Sequence, residues 1–137
     1  MSKQPLKYLL LWLLPLLLSA NFVNWLGNYD VAHQKALKEH KPLLVLVVKK
    51  NNSLSSQIIK NVFMDRDYVD AINSKMVPVI VTYEGTLSYP IEMYYTTVFP
   101  TLFFVDSEKE LFLREPLYGE SITGNVLEKY VGEILLY

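Results

Sequence analysis

The side chains in this chain that are best suited to nucleophilic chemistry are three serines that follow an apolar run. Ser53, Ser55 and Ser56 lie close together, but a serine is a nucleophile only beside a general base and an oxyanion hole. The two histidines, His33 and His40, both precede that run, on the predicted helix that starts the domain, and neither is adjacent to the serines in sequence. We therefore predict no catalytic residue, and we expect Ser53 or Ser55 to cap a helix.

The same two histidines are poor candidates for a metal site. Chelation of a metal from one helix favours ligands at positions i and i+4, whereas His33 and His40 are separated by about two turns. The chain also contains no cysteine, which excludes thiolate ligands and a disulfide framework, and it has no glycine-rich phosphate loop. We predict solvated histidines, no metal and no cofactor.

The first 20 residues have the pattern of a secretory signal peptide. Lys3 and Lys7 precede an apolar run at residues 8–18, and Ala20 stands at a plausible cleavage position. The run is short for a membrane span, which needs about 20 apolar residues. We predict cleavage after Ala20 and a periplasmic or secreted product. The alternative is an uncleaved anchor, in which residues 8–20 are the only part in the membrane.

Residues 21–137 are predicted to form one domain of acidic net charge. The signal peptide contains two of the 13 basic side chains and none of the 14 acidic ones, so the remaining domain carries a net charge of −3. This balance argues against a nucleic-acid partner and gives no general attraction to an anionic membrane.

Hydrophobic periodicity predicts alternating helices and strands, followed by a hairpin and a last helix. The predicted strands are residues 43–48, 76–83, 102–105 and 111–117, the last at a sheet edge. The predicted helices start at Asp30, at Ser53 or Ser55, at Asp65 or Asp67, and at Ser121. This order predicts an α/β domain with a mixed sheet and helices on both faces.

An ordered set of motifs along this pattern carries a resemblance to a known family. The set is Trp25, Ala32, Ala36, Lys41, Pro42, Val62, Phe63, then Asp65, Arg66 and Asp67, then Phe99, Pro100 and Thr101. Over residues 24–136 the chain resembles the thioredoxin superfamily, in particular the exported domains at the C-terminus of membrane thiol-disulfide interchange reductases. The resemblance implies a central mixed four-stranded sheet, with a cis peptide bond at Phe99-Pro100 before the third strand.

The departures from that family concern its chemistry. The resemblance places the two redox positions at Asn52 and Ser55, on either side of Ser53 and Leu54, or one residue later at Ser53 and Ser56. Neither asparagine nor serine supplies a thiolate. The buried acid that the family often carries in the preceding strand is missing from residues 43–48, and the aromatic residue before the motif is replaced by Lys50 or Asn51.

The hypothesis that remains is a redox-inactive domain that docks a protein or peptide at the cis-proline face. Tyr83, Tyr89, Tyr94 and Tyr95 fall between the second strand and the proline, and tyrosine suits binding surfaces, although some of these rings could equally belong to the core. Lys50 is a further candidate contact, which could attract an acidic partner. The alternative is a structural or membrane-tethered assembly subunit, and a non-thiol enzyme ranks third.

Overall fold

The computed structural model of the protein describes residues 21–136. The predicted signal peptide lies outside these residues. Between residues 21 and 136, no helix is both long and apolar enough to cross a membrane.

Four α-helices and five β-strands follow one another within residues 21–136. The helices are α1 (Tyr29–Glu39), α2 (Ser53–Val62), α3 (Tyr68–Lys75) and α4 (Gly124–Ile134). The strands are β1 (Leu43–Lys49), β2 (Val77–Tyr83), β3 (Thr101–Asp106), β4 (Leu111–Phe112) and β5 (Leu117–Tyr118). A short 3₁₀ turn, Gly119–Ser121, connects β5 to the segment before α4.

The strands form one mixed sheet in the order β2-β1-β3-β4, with β5 also paired to β3. The central strand β1 runs parallel to β2 and antiparallel to β3. Its residues alternate between the two faces of the sheet. Leu44 and Leu46 pack with α2, α3 and α4, whereas Leu43, Val45 and Val47 pack with α1. The predicted α/β class, with a mixed sheet covered on both faces, is confirmed.

The predicted last strand, residues 111–117, is interrupted. It forms β4 and β5, each of two residues, because the stretch between them leaves the ladder. Pro116 has no N–H to donate to a partner strand. Arg114 instead forms an ion pair with Glu133 on α4, and its guanidinium lies 4.4 Å from the centre of the Tyr130 ring.

The predicted starts of α1 and α4 are each wrong by two residues. Asn28 caps α1 in place of Asp30, since its side chain accepts the N–H of Val31 at 3.2 Å. Thr123 caps α4 in place of Ser121 and accepts the N–H of Val126. Each start offers several residues that can cap, and the one that does so has an extended backbone just before the helix. Ser121 is already in the 3₁₀ turn.

We expect the two candidate caps of α4 to differ when each is replaced by alanine. Thr123→Ala removes the acceptor for a helix N–H and should lower the free energy of unfolding by about 1 kcal/mol. Ser121→Ala, at an exposed residue, should stay within about 0.5 kcal/mol. Urea unfolding of the two variants makes the comparison. A larger loss for Ser121→Ala would contradict the assignment of the cap.

Candidate functional site

Asn52 and Ser55 lie together at the start of α2. Asn52 is the N-cap of this helix, and its side-chain oxygen accepts both the N–H of Ser55 at 2.8 Å and the Ser55 hydroxyl at 3.0 Å. Ser55 is 4% exposed, whereas Ser53 and Ser56 are on the outer side of the helix. The expectation that Ser53 or Ser55 caps the helix is therefore wrong. Hydrogen bonds therefore join Asn52 and Ser55, the first of the two pairs that the sequence analysis gave as expected redox positions.

Neither histidine can act as a base for these serines. His33 Nε2 lies 2.9 Å from the carbonyl oxygen of Ser107, and His40 Nδ1 lies 3.3 Å from a carboxylate oxygen of Glu108. Both partners follow β3 and therefore lie where β1 begins, because the two strands are antiparallel. The serines lie beyond the other end of β1, about 20 Å away. His33 is also less solvated than expected, since its side chain is 19% exposed.

The segment before β3 is held by two threonine hydroxyls. The Thr101 hydroxyl donates to the carbonyl oxygen of Val98 at 2.6 Å. Thr96 Oγ1 accepts the N–H of Val98 at 3.1 Å and lies 2.9 Å from Thr101 Oγ1. Both backbone groups of Val98 are therefore satisfied by side chains within the protein. Thr96 was not among the sequence candidates, and its position beside the predicted cis-proline loop was the available signal.

Phe99 follows Val98 and has a different backbone environment. The Phe99–Pro100 peptide bond is cis, and the carbonyl oxygen of Pro100 accepts the N–H of Gly119 at 2.8 Å. Within residues 21–136 neither the N–H nor the C=O of Phe99 has a hydrogen-bond partner. Its half-buried ring packs on Tyr83, with centroids 5.2 Å apart, and Lys49 Nζ lies 5.8 Å from its centre.

Gly119 brings the start of α2 against the segment before the proline. Its φ is +52°, a conformation that favours glycine. A Cβ at this position would lie 3.3 Å from Val98 Cγ1 and 3.9 Å from Leu54 Cδ2, so both side chains lie beside the glycine. Tyr118 precedes it and is 47% exposed, and Val98 is 43% exposed. We call Leu54, Val98, Phe99 and Tyr118 the proline face.

The four candidate tyrosines occupy different environments. Tyr94 is fully buried and is withdrawn from the candidate binding residues. Its hydroxyl lies 2.8 Å from that of Tyr29, and its ring packs on Phe103. Tyr95 is exposed, as expected for the neighbour of a buried residue, and Tyr83 and Tyr89 are half-buried. Burial raises the pKa of both Tyr94 and Tyr29 above the ordinary value for tyrosine.

Lys50 and the side chains that could bind a metal ion are the remaining candidates. Lys50 is exposed in the turn after β1, where it lines a cavity beside the loop that follows β2. In the part of the chain that the structure describes, no three His, Cys, Asp or Glu side chains are grouped so that they could hold a metal ion.

Comparisons with known proteins support the fold. No protein-family model matches this sequence, and a search of curated proteins finds no match. Among solved structures, the chain is similar to a DsbH oxidoreductase, with a TM-score of 0.65, 16% identity, and coverage of 83% of this chain and 85% of that one. It is also similar to a thioredoxin from Thermus thermophilus, with a TM-score of 0.66, 16% identity, and coverage of 82% and 87%. The fold is thioredoxin-like, and the chain contains no cysteine.

We expect the Tyr29–Tyr94 pair to make stability depend on alkaline pH. Because burial raises both pKa values, the folded state keeps protons that the unfolded chain releases above its tyrosine pKa of 10.0. The contribution of the pair is complete below that pH, and it is lost as the pH rises further. Tyr94→Phe should lower the free energy of unfolding by about 1 kcal/mol at neutral pH and make the alkaline decline shallower.

The matched control is Tyr95→Phe at the exposed neighbour, which should stay within about 0.5 kcal/mol of the wild type. Urea unfolding between pH 7 and pH 11 measures all three proteins. An alkaline decline as steep in Tyr94→Phe as in the wild type would contradict the role given to this pair.

Proposed function

We propose that this thioredoxin-like domain is a redox-inactive module that docks an extended segment of a protein partner at the proline face. The observation that carries the proposal is the backbone of Phe99. Its N–H and C=O have no partner within residues 21–136, while both backbone groups of Val98 are occupied by threonine hydroxyls.

An extended peptide can supply the missing partners by β-augmentation. In this binding mode the backbone hydrogen bonds contribute affinity, and pockets for alternate side chains contribute specificity. In an antiparallel ladder, two opposite residues of a hydrogen-bonded pair each use their own N–H and C=O to bond to the other. The N–H and C=O of Phe99 could form one such pair with a residue of the peptide. The threonine clamp on Val98 supports this role, because it fixes the segment before a partner arrives and lowers the cost of ordering it.

The side chains around Phe99 suit a peptide with an apolar residue. Leu54 and Val98 both lie beside Gly119, which has no side chain of its own to cover the surface next to them. Tyr118 adds an exposed aromatic ring with a polar tip, a side chain that is common in protein interfaces. Lys49, above the Phe99 ring, places a positive charge at the border of this surface.

The absence of cysteine makes thiol-disulfide chemistry unlikely for this domain, although one of the similar structures is an oxidoreductase by name. Asn52 and Ser55, the first of the two pairs that the resemblance gives as redox positions, bond to each other. We propose further that residues 1–20 direct export, so that docking takes place in the periplasm or at its membrane.

We expect peptide docking to depend on Leu54. Random linear peptides displayed on phage and selected on the full chain provide the ligand. Leu54→Glu should weaken binding of the selected peptides at least about tenfold, because it places an unpaired charge in an apolar contact. The acid should not disturb the helix start, since a negative charge in the first turn suits the helix dipole.

The control variant is Val31→Glu, which likewise places an acid on an apolar residue in the first turn of a helix, here α1; Val31 is exposed, whereas Leu54 is half-buried. It should bind the selected peptides as the wild type does. Equal weakening by the two variants, or the recovery of no binding peptide at all, would refute docking at the proline face.

We also expect the domain to lack thiol-disulfide activity. The unmodified protein should not reduce insulin disulfides, because it has no thiolate. The variant Asn52→Cys/Ser55→Cys should reach no more than about a hundredth of the rate of a thioredoxin, since β1 offers no acid to accept a proton. Turnover of insulin by the unmodified protein would contradict the proposal.

A further inference from the structure

A cavity of about 380 Å³ opens where the parallel strands β1 and β2 end. Its walls come from three separate stretches of chain: Gly27 and Tyr29 before and at the start of α1, Lys50 after β1, and residues of the stretch 81–88. In α/β folds, ligands bind outside the carboxyl ends of parallel strands. The volume also lies near the lower end of the range for small-molecule sites, about 300–1,000 Å³.

Two charged residues of opposite sign line this cavity without pairing. Lys50 and Glu84 both contribute to its walls, and neither makes an ion pair within residues 21–136. Glu84 lies in a tight turn with a left-handed backbone, at φ 56°, closed by the N–H of Gly85 bonding to the carbonyl of Thr82 at 3.0 Å. The cavity therefore has a positive group from one loop and a negative group from another.

The remaining walls are partly hydroxylic and partly apolar. Thr82, Thr86 and Ser88 line the cavity, and within residues 21–136 their hydroxyls make no hydrogen bond. Val81 and Tyr29 also line it and are buried. A ligand here meets groups that can donate and accept hydrogen bonds, together with an apolar surface.

We propose that this cavity binds a zwitterionic ligand of the size of an amino acid or dipeptide. The ligand's carboxylate pairs with Lys50, its ammonium group pairs with Glu84, and an apolar side chain packs on Val81. A ligand with a single charge would satisfy only one of the two groups and face a like charge from the other. The site is separate from the proline face and does not depend on the proposed docking function.

Four probes of related structure test the charge requirement on the full chain. They are L-leucine, glycyl-L-leucine, L-leucinamide, which lacks the carboxylate, and N-acetyl-L-leucine, which lacks the ammonium group. In ¹H–¹⁵N correlation spectra, L-leucine or glycyl-L-leucine should shift the amide signals of Gly27, Gly85 and Thr86 saturably. The two blocked forms should bind at least about tenfold more weakly, because each loses a charge-assisted hydrogen bond.

Variants with matched controls test the two charged side chains. Lys50→Met and Glu84→Gln should each weaken binding of the zwitterionic probe at least about tenfold. Lys49→Met and Glu92→Gln remove charges that do not line the cavity and should leave binding unchanged. Failure of both zwitterions to shift these signals at millimolar concentration, equal binding of the blocked forms, or equal effects of Lys49→Met and Lys50→Met would overturn the proposal.

Discussion

The structure depends on the burial of β1 on both faces of the sheet. Leu43 to Val47 are all within 1% of complete burial, and the strand pairs with β2 on one side and β3 on the other. Such a strand has to be apolar at every position, because an unpaired charge there would cost several kcal/mol. The same constraint bears on function, since a strand of this composition offers no acid to support proton transfer at the start of α2.

The chain has no cysteine, and hydrogen bonds organise the end of the sheet where β1 finishes. Asn52 holds Ser55 at the first turn of α2, and the hydroxyls of Thr96 and Thr101 hold Val98. Each of these bonds satisfies a backbone or side-chain group that would otherwise need water. Phe99 lies between these two regions, and within residues 21–136 its own backbone groups have no hydrogen-bond partner. We propose that a partner docks on this surface, in a chain that contains no cysteine.

The sequence predicted the features that depend on long apolar patterns. Residues 43–48 form a strand buried on both faces because six apolar residues in succession leave no polar side to turn to solvent. It was harder to predict features in which any of several neighbouring residues could take the same role. The caps of α1, α2 and α4 were each misplaced by one to three residues, because serine, threonine, asparagine and aspartate can all cap a helix. Adjacent residues on a helix or strand cannot both face the core, but the sequence does not show which of Tyr94 and Tyr95 is buried.

Only part of the candidate site could be predicted from the sequence. Asn52, Ser55 and the residues around Pro100 could be placed by their order along the chain. No local pattern encodes the lack of a hydrogen-bond partner for the Phe99 backbone within residues 21–136, or the position of Leu54 and Val98 beside Gly119. The cavity beside Lys50 likewise combines three stretches that are far apart in sequence.

The most direct test of the docking account is amide hydrogen exchange at Phe99, measured by NMR in the free protein and with a selected docking peptide. Exchange of the Phe99 amide hydrogen should slow at least about tenfold in the complex, because its N–H gains a hydrogen-bond partner in the ladder formed with the peptide. Exchange at Val98, which already bonds to Thr96, should change much less. Unchanged exchange at Phe99 in a saturated complex would contradict the account.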